Sequence, residues 1–406
     1  MATLSETIQS HRPNLGPYEE LYKHFHSHPE LSFQEKETAA AIVAHLQKLD
    51  AYEVHAGIGG HGVAAVLRNG DGRTILLRAD IDALPVEERS DLPYKSKARM
   101  KDLDGVEKPV MHACGHDMHI TALLAAAEGL VKAKDKAGGA QAMVDDGLYS
   151  KVPEPELAIG AHVMPYRAGV IGTKHGLMAS SADSFQLTIQ GRQAHASTPH
   201  MSVDPIVQAA STILRLQSIV SRETAPSDFA VVTVSAIHAG EAENIIPEKA
   251  DLKLNVRCAK PETREQVLSS MRRIIDAEAT ASGAPSLPTL KESTQFPFLF
   301  NDANLTNALE KTFSEHFEVG PHGYSDDIER LAGSEDFGIL ATAIGKPSCF
   351  FLYGGLDPEM WDQHEKEGRL KEIPGNHSPF FTPVLQPTLT VAVDGYFCAA
   401  LTFLAK

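Results

Sequence analysis

Positive charge is scarce in this 406-residue chain: 37 Lys and Arg stand against 53 Asp and Glu, a formal net charge of -16. No basic cluster offsets that balance, so the counterion release that drives nucleic-acid binding has no footing and nucleic acid is excluded as a partner. Long apolar runs are missing too. No stretch approaches the roughly 20 residues that span a bilayer, and the opening MATLSETIQSHRPNLG lacks the basic-then-apolar pattern of a secretory signal. A soluble cytoplasmic protein without a membrane partner is expected. Cysteine is sparse and scattered: Cys114, Cys258, Cys349 and Cys398 have no paired short spacing, which argues against a disulfide framework and for a reducing compartment. What the chain does have is 43% hydrophobic residues over a length that suits two domains with large cores.

Periodicity then organises the chain. Pro17 followed by Tyr18, Leu21 and Phe25 predicts a helix over about 17–27, and Ser32 with Glu35 has the capping-box spacing ahead of a second stripe, Ile42, Val43, Leu46 and Leu49. GVAAVLR and RTILLRAD flank Asn69-Gly70-Asp71-Gly72, a hairpin signal, and the second run delivers Asp80 and Asp82 at its end. A buried helix is expected from Thr121 to Lys134 and a central strand over 156–163. From about 183 the texture changes to strand, helix, strand, strand, helix, with a last strand near 286–292, the split βαβ order of a small sandwich. The remainder returns to α/β texture: helices near 303–316 and after Ser334, the strand SCFFLYGG, and a closing helix to 404. The expected fold class is α/β, with a discontinuous domain of residues 1–181 plus 294–406 and an inserted α+β domain of residues 182–293.

Cys114-Gly115-His116 sets a thiolate and an imidazole two residues apart on a loop before a helix, with Asp117 and His119 close behind. Such a pair can converge on a cation, and it can equally be a buried thiol beside exposed histidines. His162 ends a strand, where α/β sheets place ligands, and His377 lies in the tight turn Gly375-Asn376-His377-Ser378; each alone also fits a structural role. His24, His26 and His28 straddle a helix end and read as packing or solvated residues. Gly57 to Gly62 lacks the Lys-Ser/Thr of a phosphate loop and reads as a turn before a strand. Glu335 and Asp336 fit helix-start acids as well as site residues.

Taken in order, HSHPELSFQEKETA, RADIDALPVEE, MHACGHDMH, GAHVMP, GRQAHASTPH, ENIIP, GSEDF and NHSPFF resemble the metallopeptidase-related amidohydrolases that include hippurate hydrolase, aminoacylase-like enzymes and auxin-conjugate hydrolases. The resemblance covers nearly the whole chain. It implies a di-metal aminopeptidase/carboxypeptidase-like catalytic domain with an inserted ferredoxin-like lid that forms homodimers. It further implies Cys114, His116, His162 and His377 as ligands of two divalent ions, Zn or Mn, and His195 as the lid histidine that polarises the substrate carbonyl. By the same resemblance Asn244 lies near the substrate carboxylate. Asp80 and Asp82 are plausible partners orienting a ligating histidine. The expected substrate is a small N-acyl amino acid, cleaved at its amide bond by metal-assisted water attack.

One departure cuts across this picture. The family has a strand after the CGHD helix ending in a motif like QPAEE, whose glutamates act as general base and metal ligand. Here Gly129 to Tyr149 contains Asp135, Asp145 and Asp146 as its only acids and no Glu-Glu pair. A central strand is thus expected to be missing after residue 136, leaving its neighbours' backbone groups unpaired. Three readings follow: an excised coding segment, a non-catalytic binder of N-acyl amino acids or metal, or catalysis relocated to a carboxylate such as Glu335.

Overall fold

The structure is a computed structural model describing residues 3–68, 73–133, 147–331 and 333–404. Its contacts divide it into two units: Met1–Gly176, Phe300–Glu329 and Phe337–Lys406 make one, and Leu177–Leu299 with Arg330–Asp336 make the other. The seams fall at 176 and 300, against the expected 181 and 294.

The first unit opens with α1 (Leu4–His11), capped reciprocally by Thr3 and Glu6. No helix is expected there from sequence, because the segment buries a single residue, Ile8. Helix α2 (Gly16–Ser27) carries Pro17 in its first turn and buries Tyr18, Tyr22, Phe25 and His26. Helix α3 (Lys36–Lys48) buries Ala39, Ile42 and Leu46, but the capping box expected at its start does not form. The chain turns through a left-handed conformation at Phe33 (φ 65°), which takes Ser32 away from the helix; its hydroxyl donates to Asp82 instead. The Glu35 carboxylate accepts the Phe33 N–H at 2.9 Å.

Strands β1 (Tyr52–Ile58) and β2 (Gly62–Leu67) pair with each other, antiparallel, in a sheet of their own. This corrects the hairpin expected between β2 and β3 (Ile75–Arg78). Residues 69–72 lie outside the described residues, and among the described residues β2 pairs upstream while β3 runs parallel to β4 (Leu157–Arg167), with Leu76 opposite Ala158. The physical reason is burial: all four residues of β3 are buried, as parallel strands covered on both faces require. Helix α4 (His116–Ala133) starts five residues earlier than Thr121 and is buried almost all round, from Met118 through Ala122 to Leu130. The expected excision falls within residues 134–146, outside the described residues. After β4 comes the short β5 (Ile171–Gly172).

The second unit is built from β6 (Ser181–Gln190), α5 (Pro205–Ser218), β7 (Ala230–His238), β8 (Lys249–Cys258), α6 (Pro261–Ala281) and β9 (Thr289–Phe296). The strands form an antiparallel sheet in the order β7-β8-β6-β9. Alternation puts Phe185, Leu187 and Ile189 on one face, where Leu187 stands opposite both Leu252 and Leu290. Asp204 caps α5 by accepting from the N–H groups of Ile206 and Val207. Asp183 on β6 is fully buried and takes a two-pronged hydrogen bond from Arg264 at 2.8 and 2.6 Å. Residues 330–336 belong here because Leu331 N–H donates to the Met178 carbonyl at 2.8 Å and Arg330 stacks 4.4 Å over the Phe229 ring.

The chain returns to the first unit with α7 (Ala303–His316), β10 (Tyr324–Ser325), β11 (Ser348–Leu356), α8 (Pro358–Lys366) and α9 (Thr388–Leu404). The helix expected after Ser334 is one short turn, Ile339–Thr342. The five-stranded sheet runs β10-β5-β11-β4-β3, so β3 is an end strand despite its burial. β11, buried at every residue, lies parallel to β4 at its centre. Among the described residues no helix is long and apolar enough to cross a membrane.

Candidate metal centre

Four segments far apart in sequence meet at the carboxyl end of β4 and the start of α4. The loop before α4 supplies Cys114, and Gly115 turns it through φ 81°. A Cβ at Gly115 would lie 2.4 Å from Val163 Cγ1, so only glycine lets this loop press against β4. His116 follows as the first residue of α4. His162 comes from β4, its Nε2 3.4 Å from Cys114 Sγ. His377 sits in a left-handed turn (φ 70°) tied to the same loop by its N–H, which donates to the Ala113 carbonyl at 2.7 Å. Of these imidazoles it is His162 that hydrogen-bonds the Cys114 sulfur, while His116 and His377 are brought to the same loop by the chain and by the His377 N–H.

Each buried imidazole is aimed by its other nitrogen. His116 Nδ1–H donates to the Asp82 carbonyl at 2.8 Å and its carboxylate at 2.9 Å, and its Nε2 lies 3.5 Å from the Asp80 carboxylate. His162 Nδ1–H donates to the Val163 carbonyl at 2.7 Å. This is how metal-ligating histidines are held. Asn376 adds a strut: its side-chain amide reaches the Val163 carbonyl at 3.2 Å and Cys114 Sγ at 3.8 Å.

Charge follows geometry. Burial pushes the Cys114 thiol up, but the charge of His162 and the imidazoles around it overcome this and bring the thiol down to about 3. Burial lowers His162, and the thiolate outweighs it, raising the imidazole to about 9. Burial likewise opposes the charged forms of His116 and Asp82; Asp80 and then Asp82 hold His116 well up, and His116 brings Asp82 down to about 2. The site therefore offers one thiolate and imidazoles whose Nε2 protons a cation displaces on binding, a donor set that suits a borderline metal such as zinc.

Asp80 has a different part from Asp82. Its carboxylate accepts from Arg78 at 3.0 Å and from His119 Nδ1 at 2.5 Å. His119 Nε2 in turn accepts the Val163 N–H at 2.9 Å, and burial holds this imidazole down at about 4, in its neutral form. Asp80, His116, His119 and His162 present ligand atoms within 4.8 Å of one another, yet both His119 nitrogens are already engaged. Behind them, His26 joins Asp117 at 2.6 Å and Glu88 at 3.1 Å, all three side chains without solvent exposure. His24 and His28 take no part in that network.

His195 and Asn244 both belong to the second unit and are neighbours there: Ala194–His195 pairs with Ile245–Ile246, and Ala196 N–H donates to the Asn244 carbonyl at 2.9 Å. Both side chains are exposed. Ser197 N–H donates to His195 Nδ1 at 3.1 Å, so that nitrogen is an acceptor and the ring proton sits on Nε2. Glu335 is buried, and neither it nor Asp336 starts a helix. Asn376, Glu88 and the His119–Asp80 pairing are not readable from sequence; the one signal is that Asn376 adjoins His377.

Residues 178–282 match the family model described as the M20 peptidase dimerisation domain. Hippurate hydrolase of Campylobacter jejuni is 36% identical over 340 residues, 80% of this chain and 85% of that protein. N-acetylcysteine deacetylase of Bacillus subtilis is 33% identical over 357 residues, 83% of this chain and 87% of that one. The crystal structure of the Bacillus subtilis YXEP protein, a dinuclear metal-binding peptidase of the M20 family, aligns with a TM-score of 0.71 at 26% identity, covering 98% of this chain and 99% of that one.

Proposed function

Because the chain belongs to the M20 family of metallopeptidases and amidohydrolases, we propose that its first unit is built for metal-assisted hydrolysis of the amide bond of N-acyl amino acids, with turnover far below that of a glutamate-equipped relative. The observation that supports this reading is that Cys114 lies 3.4 Å from His162 Nε2, beside an Asp82-held His116 and a His377 turn tied to the same loop. Cys114, His116, His162 and His377 would hold a divalent ion, zinc or manganese, and a bound ion supplies Lewis acidity that acidifies water and polarises a carbonyl. Asp82 and the Val163 carbonyl fix the His116 and His162 rings. His195, protonated on Nε2, is the donor for the substrate carbonyl oxygen, and Asn244 suits the substrate carboxylate. The proton of the attacking water has no glutamate to take it between Gly129 and Tyr149, and loss of such a base typically costs about 100- to 10,000-fold.

That same absence favours a second reading, a binder of N-acyl amino acids without turnover. Hippurate and N-acetylcysteine, offered to protein reconstituted with zinc or manganese, separate the two. Slow amino-acid release that disappears in Cys114→Ser supports hydrolysis. Thermal stabilisation by these compounds with no release supports the binder. The second unit is the natural contact for a second copy of the chain: β7 is an edge strand, and Val207 and Leu214 of α5 are exposed. A dimer mass in solution that falls to a monomer in Leu214→Glu is the expected result.

A further inference from the structure

We propose that Phe33 is a specificity-determining residue: its exposed ring, held beside the metal centre by a strained turn, takes the acyl group of an N-acyl amino acid and favours an aromatic one such as benzoyl. The inference rests on the amidohydrolase reading above and adds the class of acyl group to it.

Backbone conformation is the first reason. Among the described residues three that are not glycine have positive φ: Phe33 at 65°, Asp50 at 47° and His377 at 70°. Asp50 follows the last residue of α3 and its cap, where a left-handed residue is the ordinary way for a helix to stop, and His377 lies in the turn tied to the Cys114 loop. Phe33 has neither explanation. The Gln34 N–H donates to the Leu31 carbonyl at 2.9 Å, closing a four-residue turn with Phe33 at its third position, which at positive φ ordinarily belongs to glycine or asparagine. A bulky side chain there is an outlier, and backbone strain of this kind gathers where ligands are gripped.

Placement is the second. The turn is fastened to the segment after β3 that carries Asp82: the Ala83 N–H donates to the Glu30 carbonyl at 2.8 Å, and the Ser32 hydroxyl donates to the Asp82 carboxylate. Asp82 also accepts from His116 at 2.9 Å. Phe33 is thus the neighbour of a residue that touches the partner of His116, and it is nevertheless 68% exposed. A lone apolar residue on a surface needs no explanation, but one held out by a strained backbone next to a site does.

Charge decides which end of a substrate the ring meets. The Glu35 carboxylate accepts the Phe33 N–H at 2.9 Å, and the Asp82 carboxylate accepts from the adjoining Ser32. Two carboxylates so near disfavour the charged end of an N-acyl amino acid, and the neutral acyl end is what an apolar ring accepts. A flat acyl group stacks on a phenyl ring as a methyl group cannot, hence the preference for aromatic over acetyl.

The test measures, by calorimetry on the full chain reconstituted with zinc, the Kd of hippurate, of its cyclohexyl analogue and of N-acetylglycine, which share the same glycine end. Hippurate is expected to bind most tightly. Phe33→Gly removes the ring and suits the left-handed backbone, so fold, zinc content and thermal stability should hold. Hippurate should then weaken roughly 5- to 30-fold and N-acetylglycine by less than about twofold, while Phe33→Tyr should keep the preference. An unchanged hippurate Kd in Phe33→Gly, or equal losses for hippurate and N-acetylglycine, overturns the proposal and leaves the amidohydrolase reading standing. A cyclohexyl analogue that binds as tightly as hippurate overturns the aromatic preference, and a dimer that falls to a monomer in Phe33→Gly assigns the ring to a second copy instead. No binding of any of these compounds to the folded, zinc-loaded wild type defeats both readings.

Discussion

The two sheets of this protein are finished to different standards. In the second unit β6 is paired along ten residues with β8 and along most of its length with β9, and from Asp183 onward its side chains alternate between buried and more exposed positions. In the first unit β3 is just as buried, yet among the described residues it ends its sheet with a partner on one side, while β1 and β2 form a separate pair. Interior strands of an α/β sheet bond on both edges, because a buried N–H or C=O without a partner costs roughly 1–3 kcal/mol. The contrast teaches that, among the described residues, burial and two-sided pairing go together in the second sheet and part company at β3. This agrees with an excised coding segment, for which sequencing the transcript across the codons of Lys132 to Gln141 is the direct check.

The comparison can be broken most forcefully by repair. A strand-forming segment ending in Glu-Glu, inserted after Lys136, should raise hydrolysis of hippurate about 100- to 10,000-fold and slow amide hydrogen exchange in Ile75 to Arg78. Unchanged exchange in β3 alongside a folded protein would show that the sheet needs no such strand. Next in size, Arg264→Ala leaves the buried Asp183 carboxylate uncompensated and should cost about 3–5 kcal/mol, read as lost exchange protection in β6 and β8. Its counterpart in the first unit, Leu77→Ala, opens a cavity at a fully buried site and should cost about 2–5 kcal/mol, with the loss read in β3 and β4.

A smaller effect concerns pH. Burial opposes the charged form of His26, but the hydrogen bonds from Asp117 and Glu88 prevail and raise it to about 9 from 6.5. A folded-state pKa above the unfolded value stabilises fully below pH 6.5 and is lost as pH rises through about 9. Resistance of the wild type to denaturant should therefore fall as pH rises across that window, and His26→Gln should flatten the slope. Smallest are the helix caps, one from each unit: Asp204→Ala and Asp302→Ala remove oxygens that accept two N–H groups apiece and should each cost about 1 kcal/mol by chemical denaturation.

Much of the second unit is legible in sequence, since alternation in SFQLTIQG and the Asp204-Pro205 helix start are local signals that the sheet and helix honour. In the first unit local signals mislead twice. Asn69 to Gly72 looks like a hairpin turn, yet β2 and β3 take other partners, because burial of β3 on both faces outranks turn chemistry. Ser32 and Glu35 have capping-box spacing, but Phe33 bends the chain and Asp82 claims the serine.

By itself the sequence determined the class of protein and the lack of a glutamate pair, because motif order and residue type carry both; spacing alone supported a possible Cys/His site, and the ligand roles of Cys114, His116, His162 and His377 came from the family resemblance. The tertiary structure alone decided that Asp82 aims His116 while Asp80 is spent on His119, that Asn376 braces the Cys114 loop, and that His26 is buried with Glu88 and Asp117. Those pairings join residues tens to hundreds of positions apart, and one side chain takes one partner only after the backbone has brought all the rivals within reach. Which nitrogen of a histidine is free, and hence whether it can hold a metal, is settled by that competition rather than by the motif that contains it.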